Sequence, residues 1–221
     1  MALIAKESGG GGGDFTPCPQ GMHLARCYRV IDLGTQESTY LGKTKNLAKV
    51  MLQFEVHGED EDGKAIVTAK GEPMSISKNF TLSLGDMATL RKDLQTWRGK
   101  EFTVDELRGF ELKNVLGHWA MISVIKAMGT NGKEYTNIAG IMSVPAAIKK
   151  AGLPQGHNEL KIFSIDEADM VLFESFSNGL KEKIQKSPEW QALRGNRAPA
   201  QSQKPASGGS GFDDMDSDIP F

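Results

Sequence analysis

Residues 86–97 read Asp-Met-Ala-Thr-Leu-Arg-Lys-Asp-Leu-Gln-Thr-Trp, the clearest helical repeat between residues 21 and 145. The spacings of three and four that define an amphipathic helix fall on Met87, Leu90, Leu94 and Trp97. Asp86 is placed to cap the helix N-terminus and Gly99 to end the helix. The neighbouring segments alternate apolar and polar residues, which predicts that strands flank this helix on both sides.

Three strand-like segments precede the helix. They cover residues 24–33, 47–56 and 74–84, and residues 34–46 are predicted to connect the first two. The second segment has an apolar face and a polar face, the polar one carrying Lys49, Gln53 and Glu55. The acidic residues 58–63 predict a loop or hairpin tip, because glycines flank them and their charges favour solvent.

Two further strands follow the helix. After a short helical turn at 104–107, with Thr103 or Asp105 near its start, strand patterns cover 119–128 and 135–144. Between them lies an Asn-Gly pair, which is typical of a tight β-hairpin. Three strands, a helix and a hairpin occur in this order in the OB-fold. We therefore expect a mainly β protein with minor α content, built as a five-stranded OB-fold barrel with a helix between strands 3 and 4.

The rest of the chain predicts a C-terminal helical extension and a disordered tail. Residues 160–176 look extended, 179–186 look helical, and 187–190 could start a final helical turn. The expected organisation has four parts: a flexible glycine-rich arm at 1–20, the OB-fold domain with its extension at 21–197, a disordered linker at 198–211 and an acidic tip at 212–221.

Composition argues against several classes of protein. The chain has 39% hydrophobic and 24% charged residues and no apolar run near the ~20 residues that cross a bilayer. With no leader pattern, a cytoplasmic location is the expectation. Cys18 and Cys27 are too few for a disulfide scaffold or a zinc site. The four histidines are dispersed, and no catalytic motif occurs, so we expect no enzyme, cofactor or metal. The acidic residues 59–62 could hold a cation, but a solvated loop is the preferred interpretation.

Basic and aromatic residues interleave in three segments, as single-strand binding requires. Lysines contact phosphates, and aromatic rings stack on bases. The candidate DNA-binding residues are Tyr40, Lys43, Lys45, Lys49, Lys78, Phe80, Lys133 and Tyr135. We expect these three segments to meet on one face. Two of the segments have an alternative interpretation: Phe80 could belong to the core, and Lys43 and Lys45 could be ordinary solvated charges.

The C-terminal tip places apolar residues beside acidic ones. Residues 198–221 carry four aspartates against one lysine, whereas the rest of the chain is almost neutral. A partner with an apolar pocket and basic rim could bind this tip, since burying Ile or Phe contributes roughly 1.5–3 kcal/mol each. The candidate partner-binding residues are Asp213, Asp214, Asp216, Asp218, Ile219, Pro220 and Phe221. The alternative is a solubilising acidic tail.

This tip resembles the acidic tip of bacterial and phage single-stranded-DNA-binding proteins. The body is similar to a phage-encoded family of such proteins with an OB-fold, over residues 22–145 and weakly to 190. The similar stretches are Arg29-Val30-Ile31-Asp32-Leu33-Gly34-Thr35-Gln36, Tyr40-x-Gly42-Lys43-x-Lys45, Lys78-x-Phe80-Thr81-Leu82-Ser83-Leu84, Leu90-Arg91-Lys92-Asp93-Leu94-x-x-Trp97-Arg98-Gly99, Tyr135-x-Asn137-Ile138 and Ser187-Pro188-Glu189-Trp190.

The resemblance implies a protein that coats and protects single-stranded DNA during phage replication, recombination and repair. It also implies that the tip recruits proteins of these processes. Two alternatives stay open. One is a recombination accessory that anneals complementary strands, and the other is a protein-interaction adaptor that binds no DNA.

Overall fold

A long antiparallel hairpin forms the centre of the structure. The computed structural model describes residues 16–194 apart from residues 41, 61, 130, 131 and 133. Strand β1 spans Gly21–Tyr40, and strand β2 spans Lys43–His57. Every second residue of β2 from Val50 to Val56 is buried, as the predicted apolar face requires.

The predicted connection at 34–46 is wrong, because this stretch is strand. The pairing of β1 with β2 continues to Tyr40 and Lys43. Gly42 makes the tight turn possible with a positive φ of 73°. The stretch shows no apolar alternation because it buries no apolar face; polar pairs cross the hairpin instead, including the hydroxyls of Thr39 and Thr44 at 2.8 Å.

Four further strands complete a six-stranded sheet. Strand β3, Ser75–Thr81, pairs with β2, and strand β4, Trp119–Met128, pairs with the start of β1. Strand β5, Glu134–Met142, pairs with β4. These antiparallel pairs give the order β3-β2-β1-β4-β5, and strand β6, Lys161–Phe163, runs parallel to β1 at its middle. The mainly β class is confirmed, with one strand more than predicted.

Helix α1, Thr89–Arg98, confirms the predicted helix and its stop. Gly99 ends it in the left-handed conformation that glycine adopts without strain. The predicted cap is wrong: the helix begins after Ala88, which has no side-chain cap, and Asp86 accepts a hydrogen bond from Arg91 instead.

The second helix also lies where the sequence predicts it. Helix α2 spans Val104–Arg108, and Thr103 and Glu106 cap it reciprocally. A short 3-10 helix, Leu112–Val115, follows and was not predicted.

The main core lies between the apolar face of the sheet and α1. Leu90, Leu94 and Trp97 of α1 are buried there. The Trp97 ring centroid lies 5.6 Å from that of Phe54, and the indole N–H donates to the Trp119 carbonyl oxygen at 2.9 Å. This bond satisfies the one polar group that Trp97 brings into the core.

The C-terminal extension differs from its prediction in its first half. Helix α3, Ala146–Ala151, was not predicted, and residues 160–176 hold only the short strand β6 before helix α4, Met170–Glu174. The extended prediction fails because the Asp169 side chain accepts from two backbone amides and starts a helix. The two last helices are confirmed, as α5, Asn178–Gln185, and α6, Pro188–Arg194.

A second core binds this extension to the sheet. Four aromatic rings pack together there, with Phe173 and Trp190 stacked at 4.3 Å between centroids. Ile31 and Leu33 of β1 are fully buried against them. The rings belong to Phe163, Phe173, Phe176 and Trp190. Both faces of β1 are therefore buried at its middle.

Glu55 fixes the segment between α3 and β6. Its carboxylate is completely buried and forms an ion pair with Arg26 at 2.8 Å. It also accepts from the backbone amides of His157 and Asn158 and from the Asn158 side chain. Gly156 lies so close that a Cβ there would be 1.8 Å from the Arg26 Cζ atom. The segment thus crosses directly over the ion pair.

The hydrogen bonds to Glu55 keep it ionised. Burial of the carboxylate raises its pKa, but the bonds from Asn158, His157 and His57 outweigh burial and lower the pKa to about 2. A buried charge that is paired and hydrogen-bonded in this way is stabilising only while all partners are in place.

Both cysteines are buried. Cys18 lies within the glycine-rich segment 1–20, which the sequence predicts to be flexible, but it is only 4% exposed. Burial raises the pKa of its thiol to about 11. Cys27 is a buried free thiol as well.

The longest helix among the described residues has ten residues, too few to cross a bilayer.

Candidate nucleic-acid interface

The outer part of the β1–β2 hairpin, residues 35–48, is named the arm. Strand β3 pairs with β2 only from Lys49 onwards, so the arm has two strands. Lys43 and Lys45 are exposed on it, two positions apart and hence on the same face. Tyr40, which pairs with Lys43, ends β1. Three of the predicted DNA-binding residues are therefore brought together at the tip of the arm.

The C-terminal helices bind the base of the arm, at Thr35 and Gln36. The Glu189 carboxylate of α6 accepts from the Thr35 backbone amide at 2.9 Å and from the Thr35 hydroxyl. The Gln36 side chain donates to the Lys183 carbonyl oxygen at 2.9 Å. Burial raises the pKa of Glu189, but the two bonds from Thr35 outweigh it, so the pKa is lowered. The arm's direction therefore depends on the extension.

Gly34 permits this close approach. Its φ is +66°, and a Cβ at this position would lie 2.5 Å from the Ser187 Cβ atom. Any other residue here would combine a strained backbone with a collision between β1 and the start of α6.

Lys49 lies on the same face as Lys43 and Lys45 but is buried. Its amine donates to the Thr81 hydroxyl at 3.0 Å across the β2–β3 pair. The side chain is therefore committed to the sheet, and its charge adds to the positive potential of that face rather than to direct contacts.

Lys78 and Phe80 occupy the opposite, core side of β3. The Lys78 amine forms an ion pair with Asp93 of α1 at 2.8 Å and donates to the Ala139 carbonyl oxygen at 3.3 Å. Burial raises the pKa of Asp93 although Lys78 opposes it. Phe80 is 1% exposed. Its ring is covered, which matches the core alternative, and neither residue points toward the face that carries Lys43.

The β4–β5 hairpin lies at the other end of β2 from the arm. Tyr135 is half-buried and pairs with Ala127. Its neighbours Glu134 and Thr136 line a cavity together with Asp60 and Asp62, which belong to the loop after β2. Lys133 lies outside the described residues. The three predicted segments thus do not gather at one place, because β2 separates the arm from this hairpin along its length.

The acidic loop holds its own turn together. The Asp60 carboxylate accepts from the backbone amides of Asp62 at 3.0 Å and Lys64 at 2.8 Å. Among the described residues, no group of three His, Cys, Asp or Glu is arranged to hold a metal ion. The loop geometry is accounted for by these internal bonds.

One set of polar residues on the face that carries Lys43 and Lys45 was missed from the sequence, and we name it the polar row. Arg29 pairs with Gln53, and Asn79 pairs with Met51, the next outward-facing residue of β2. A bulge at Tyr28 puts Cys27 in the core and turns Arg29 to the opposite face. In a regular strand these two would share a face, so alternation in the sequence could not reveal Arg29.

The polar row has unmet hydrogen-bonding capacity. The Nε atom of Arg29, Oε1 of Gln53 and Oδ1 of Asn79 are shielded from solvent and have no partner among the described residues. The row lies on the same side of β2 as Lys43, Lys45 and Lys49, and Met51, which stands between Lys49 and Gln53, packs against the second core. Together the row and the three lysines place positive charge and hydrogen-bonding side chains on one side of β2.

The partner-binding candidates of the tip, residues 213–221, all lie outside the described residues. The chain matches no protein-family model, and no curated protein shows significant sequence similarity to it.

Proposed function

We propose that this is a non-enzymatic protein that binds and protects single-stranded DNA along the outward face of β2. The observation that carries the proposal is the alignment of exposed Lys43 and Lys45 with the polar row on that face. Lysines neutralise phosphates, and guanidinium and amide groups bond to base edges. Unstacked bases of a single strand present those edges, whereas a duplex pairs them.

We also propose that the sheet is an OB-fold barrel. The strand order agrees with that fold, in which the first strand lies between the second and the fourth. The bond from Lys78 to Ala139 joins β3 to β5, the two ends of the sheet path, which supports closure. In an OB-fold the face of strands 2 and 3 binds oligonucleotides, and Gln53 and Asn79 of the polar row belong to β2 and β3.

The acidic tip gives the proposal its second part. We propose that it recruits proteins of DNA replication, recombination and repair, the partners that the family resemblance implies. Such a role needs a site away from the DNA-binding face, so that both partners can bind at once. The linker of residues 198–211, expected to reach on the order of 20 Å, would supply that separation.

Equilibrium binding to single-stranded and duplex DNA tests the proposal. The full-length chain is titrated into a labelled 20-mer, alone and annealed to its complement, and fluorescence anisotropy gives both affinities. We expect the single strand to bind at least about tenfold more tightly. No binding of the single strand, or equal binding of the duplex, would require the proposal to be abandoned.

A second assay separates coating from strand annealing. The chain is mixed with two complementary oligonucleotides, one carrying a fluorophore and the other a quencher. Passive coating predicts no acceleration of duplex formation, whereas an annealing protein accelerates it at substoichiometric amounts.

A further inference from the structure

The extension borders the outward face of β2 where the arm begins. Met51 of β2 lies on that face and packs against the second core. The guanidinium of Arg29, on the neighbouring strand, lies 5.7 Å from the ring centroid of Phe176 in the extension. A DNA strand bound to the lysines of the arm therefore comes directly up against the surface of the extension.

The C-terminal end of α5 lies beside the base of the arm, on the side that carries Lys43 and Lys45. Gln36 shares the face of these lysines, because Ser38 pairs with Lys45 and residues two apart on a strand point the same way. The Gln36 side chain donates to the Lys183 carbonyl oxygen at 2.9 Å. The last turn of α5 is thus fixed next to the lysine-bearing face.

This end of α5 carries two lysines. Lys186 is the C-cap residue and follows Lys183 by three positions, so both lie on the same side of the helix. Lys186 is exposed. The next residue, Ser187, lies so close to β1 that a Cβ at Gly34 would be 2.5 Å from its own Cβ atom. Its position beside the arm is therefore set by the chain on both sides of it.

Positive charge is in excess on this side of the arm. Glu37 pairs with Asn46 and lies on the opposite face of the arm. The Glu189 carboxylate is bonded to the amide and hydroxyl of Thr35. Glu182 precedes the C-cap of α5 by one turn and offsets one of four lysine charges at most. Neighbouring lysines repel one another, and phosphates lying across them would remove that cost.

We infer that the C-terminal end of α5 extends the DNA-binding surface, with Lys183 and Lys186 contacting phosphates of the strand that the arm binds; the inference rests on the proposed single-strand binding. Long lysine side chains keep their stems on the helix surface while their amines reach outward. Phosphates recur in every sequence, so these contacts add affinity without sequence preference. The extension then both supports the arm and binds DNA beside it.

Lysine acetylation with and without DNA tests the inference on the unaltered chain. The full-length protein is treated briefly with an acetylating reagent, alone and saturated with an oligo-dT 20-mer, and mass spectrometry gives the modification at each lysine. We expect DNA to slow acetylation several-fold at Lys43, Lys45 and Lys186. Lys150 of α3, which is also exposed, is the control and should react equally in both samples.

Substitutions on α5 provide a second test. Lys183→Gln with Lys186→Gln should reduce the steepness of log affinity against log salt concentration by about 1.4, since two phosphate contacts are lost. Lys181→Gln is the matched control, because Lys181 lies on the other side of the same helix and its amine is paired with Glu174 at 2.8 Å. This control should keep the wild-type affinity and slope.

The outcomes distinguish this inference from the proposed function. If the 20-mer neither binds nor protects any lysine, the proposed function fails and the inference falls with it. If Lys43 and Lys45 are protected while Lys186 reacts equally with and without DNA, single-strand binding stands and the inference is wrong. A double variant of Lys183 and Lys186 that unfolds at lower urea concentration but binds DNA with the wild-type slope would also overturn it, because the lysines would then serve only α5.

Discussion

At the scale of single residues, Glu55 links the sheet to the extension through its charge. Its pKa is about 2 in the folded chain, against an ordinary value of 4.5. A depressed pKa means that folding favours the ionised form. The carboxylate therefore stabilises the protein above about pH 4.5, and this contribution is lost as the pH falls toward 2.

Glu55→Gln should accordingly make the unfolding free energy depend less strongly on pH in the acidic range. We expect the variant to lose about 2–3 kcal/mol of unfolding free energy at pH 7 and to change less than the wild type between pH 5 and 2.5. Urea unfolding across this range measures it, with the exposed Glu37→Gln as control. Parallel profiles for wild type and variant would contradict the assignment.

Substitutions at Gly34 and Gly42 distinguish two costs that glycine avoids, namely backbone strain at positive φ and steric collision of a side chain. Both have positive φ, but only Gly34 faces another element, with a virtual Cβ 2.5 Å from Ser187; nothing lies within 4 Å of the Gly42 position. We expect Gly42→Ala to cost about 1 kcal/mol and Gly34→Ala about 3 kcal/mol or more, by thermal or urea unfolding. Equal costs would show that a side chain at position 34 does not collide with Ser187.

At the scale of elements, the extension acts as a support for the sheet rather than a separate unit. Trp190 of α6 packs in the second core, whereas Leu193 of the same helix is 50% exposed. Trp190→Ala should lower the unfolding free energy by about 3–5 kcal/mol, and Leu193→Ala by less than about 0.5 kcal/mol. Similar small effects from both would mean that the extension contributes little to the folded sheet.

Regular elements with one buried face could be predicted from the sequence. Helix α1, strand β2 between Val50 and Val56, and the β4–β5 hairpin all show their period directly. The arm was missed because both of its faces carry polar residues, which leaves no alternation to detect. Helix α4 was missed because five residues are too few for a helical period.

Only part of the candidate site could likewise be predicted from the sequence. Lys43 and Lys45, which the sequence predicts to contact DNA, are exposed on the arm. Lys78 was predicted there too, but it lies on the core face, where its amine is paired with Asp93. Arg29 lies on the same face because of a bulge, and Lys49 is buried on that face, where its amine is bonded to Thr81. Neither event has a signature in a single sequence.

At the scale of the whole molecule, the tip and the proposed DNA-binding face are expected to act separately. Removing residues 212–221 should leave DNA affinity equal or higher, because an acidic segment can compete with DNA for a basic surface. The same deletion should abolish binding to a purified replication protein of the kind that recognises such acidic tips. Anisotropy and pull-down measure the two effects, and a large loss of DNA affinity would contradict the separation.

The central claim, that DNA follows the lysine-bearing face of β2, is tested most directly by the salt dependence of single-strand binding. Each phosphate neutralised contributes roughly −0.7 to the slope of log affinity against log salt concentration. Lys43→Gln with Lys45→Gln should weaken binding and reduce the steepness by about 1.4. The control is Lys149→Gln with Lys150→Gln, two exposed lysines of α3, which should keep the wild-type affinity and slope. Salt-independent binding by the wild type, or an unchanged slope in the Lys43 and Lys45 double variant, would contradict the claim.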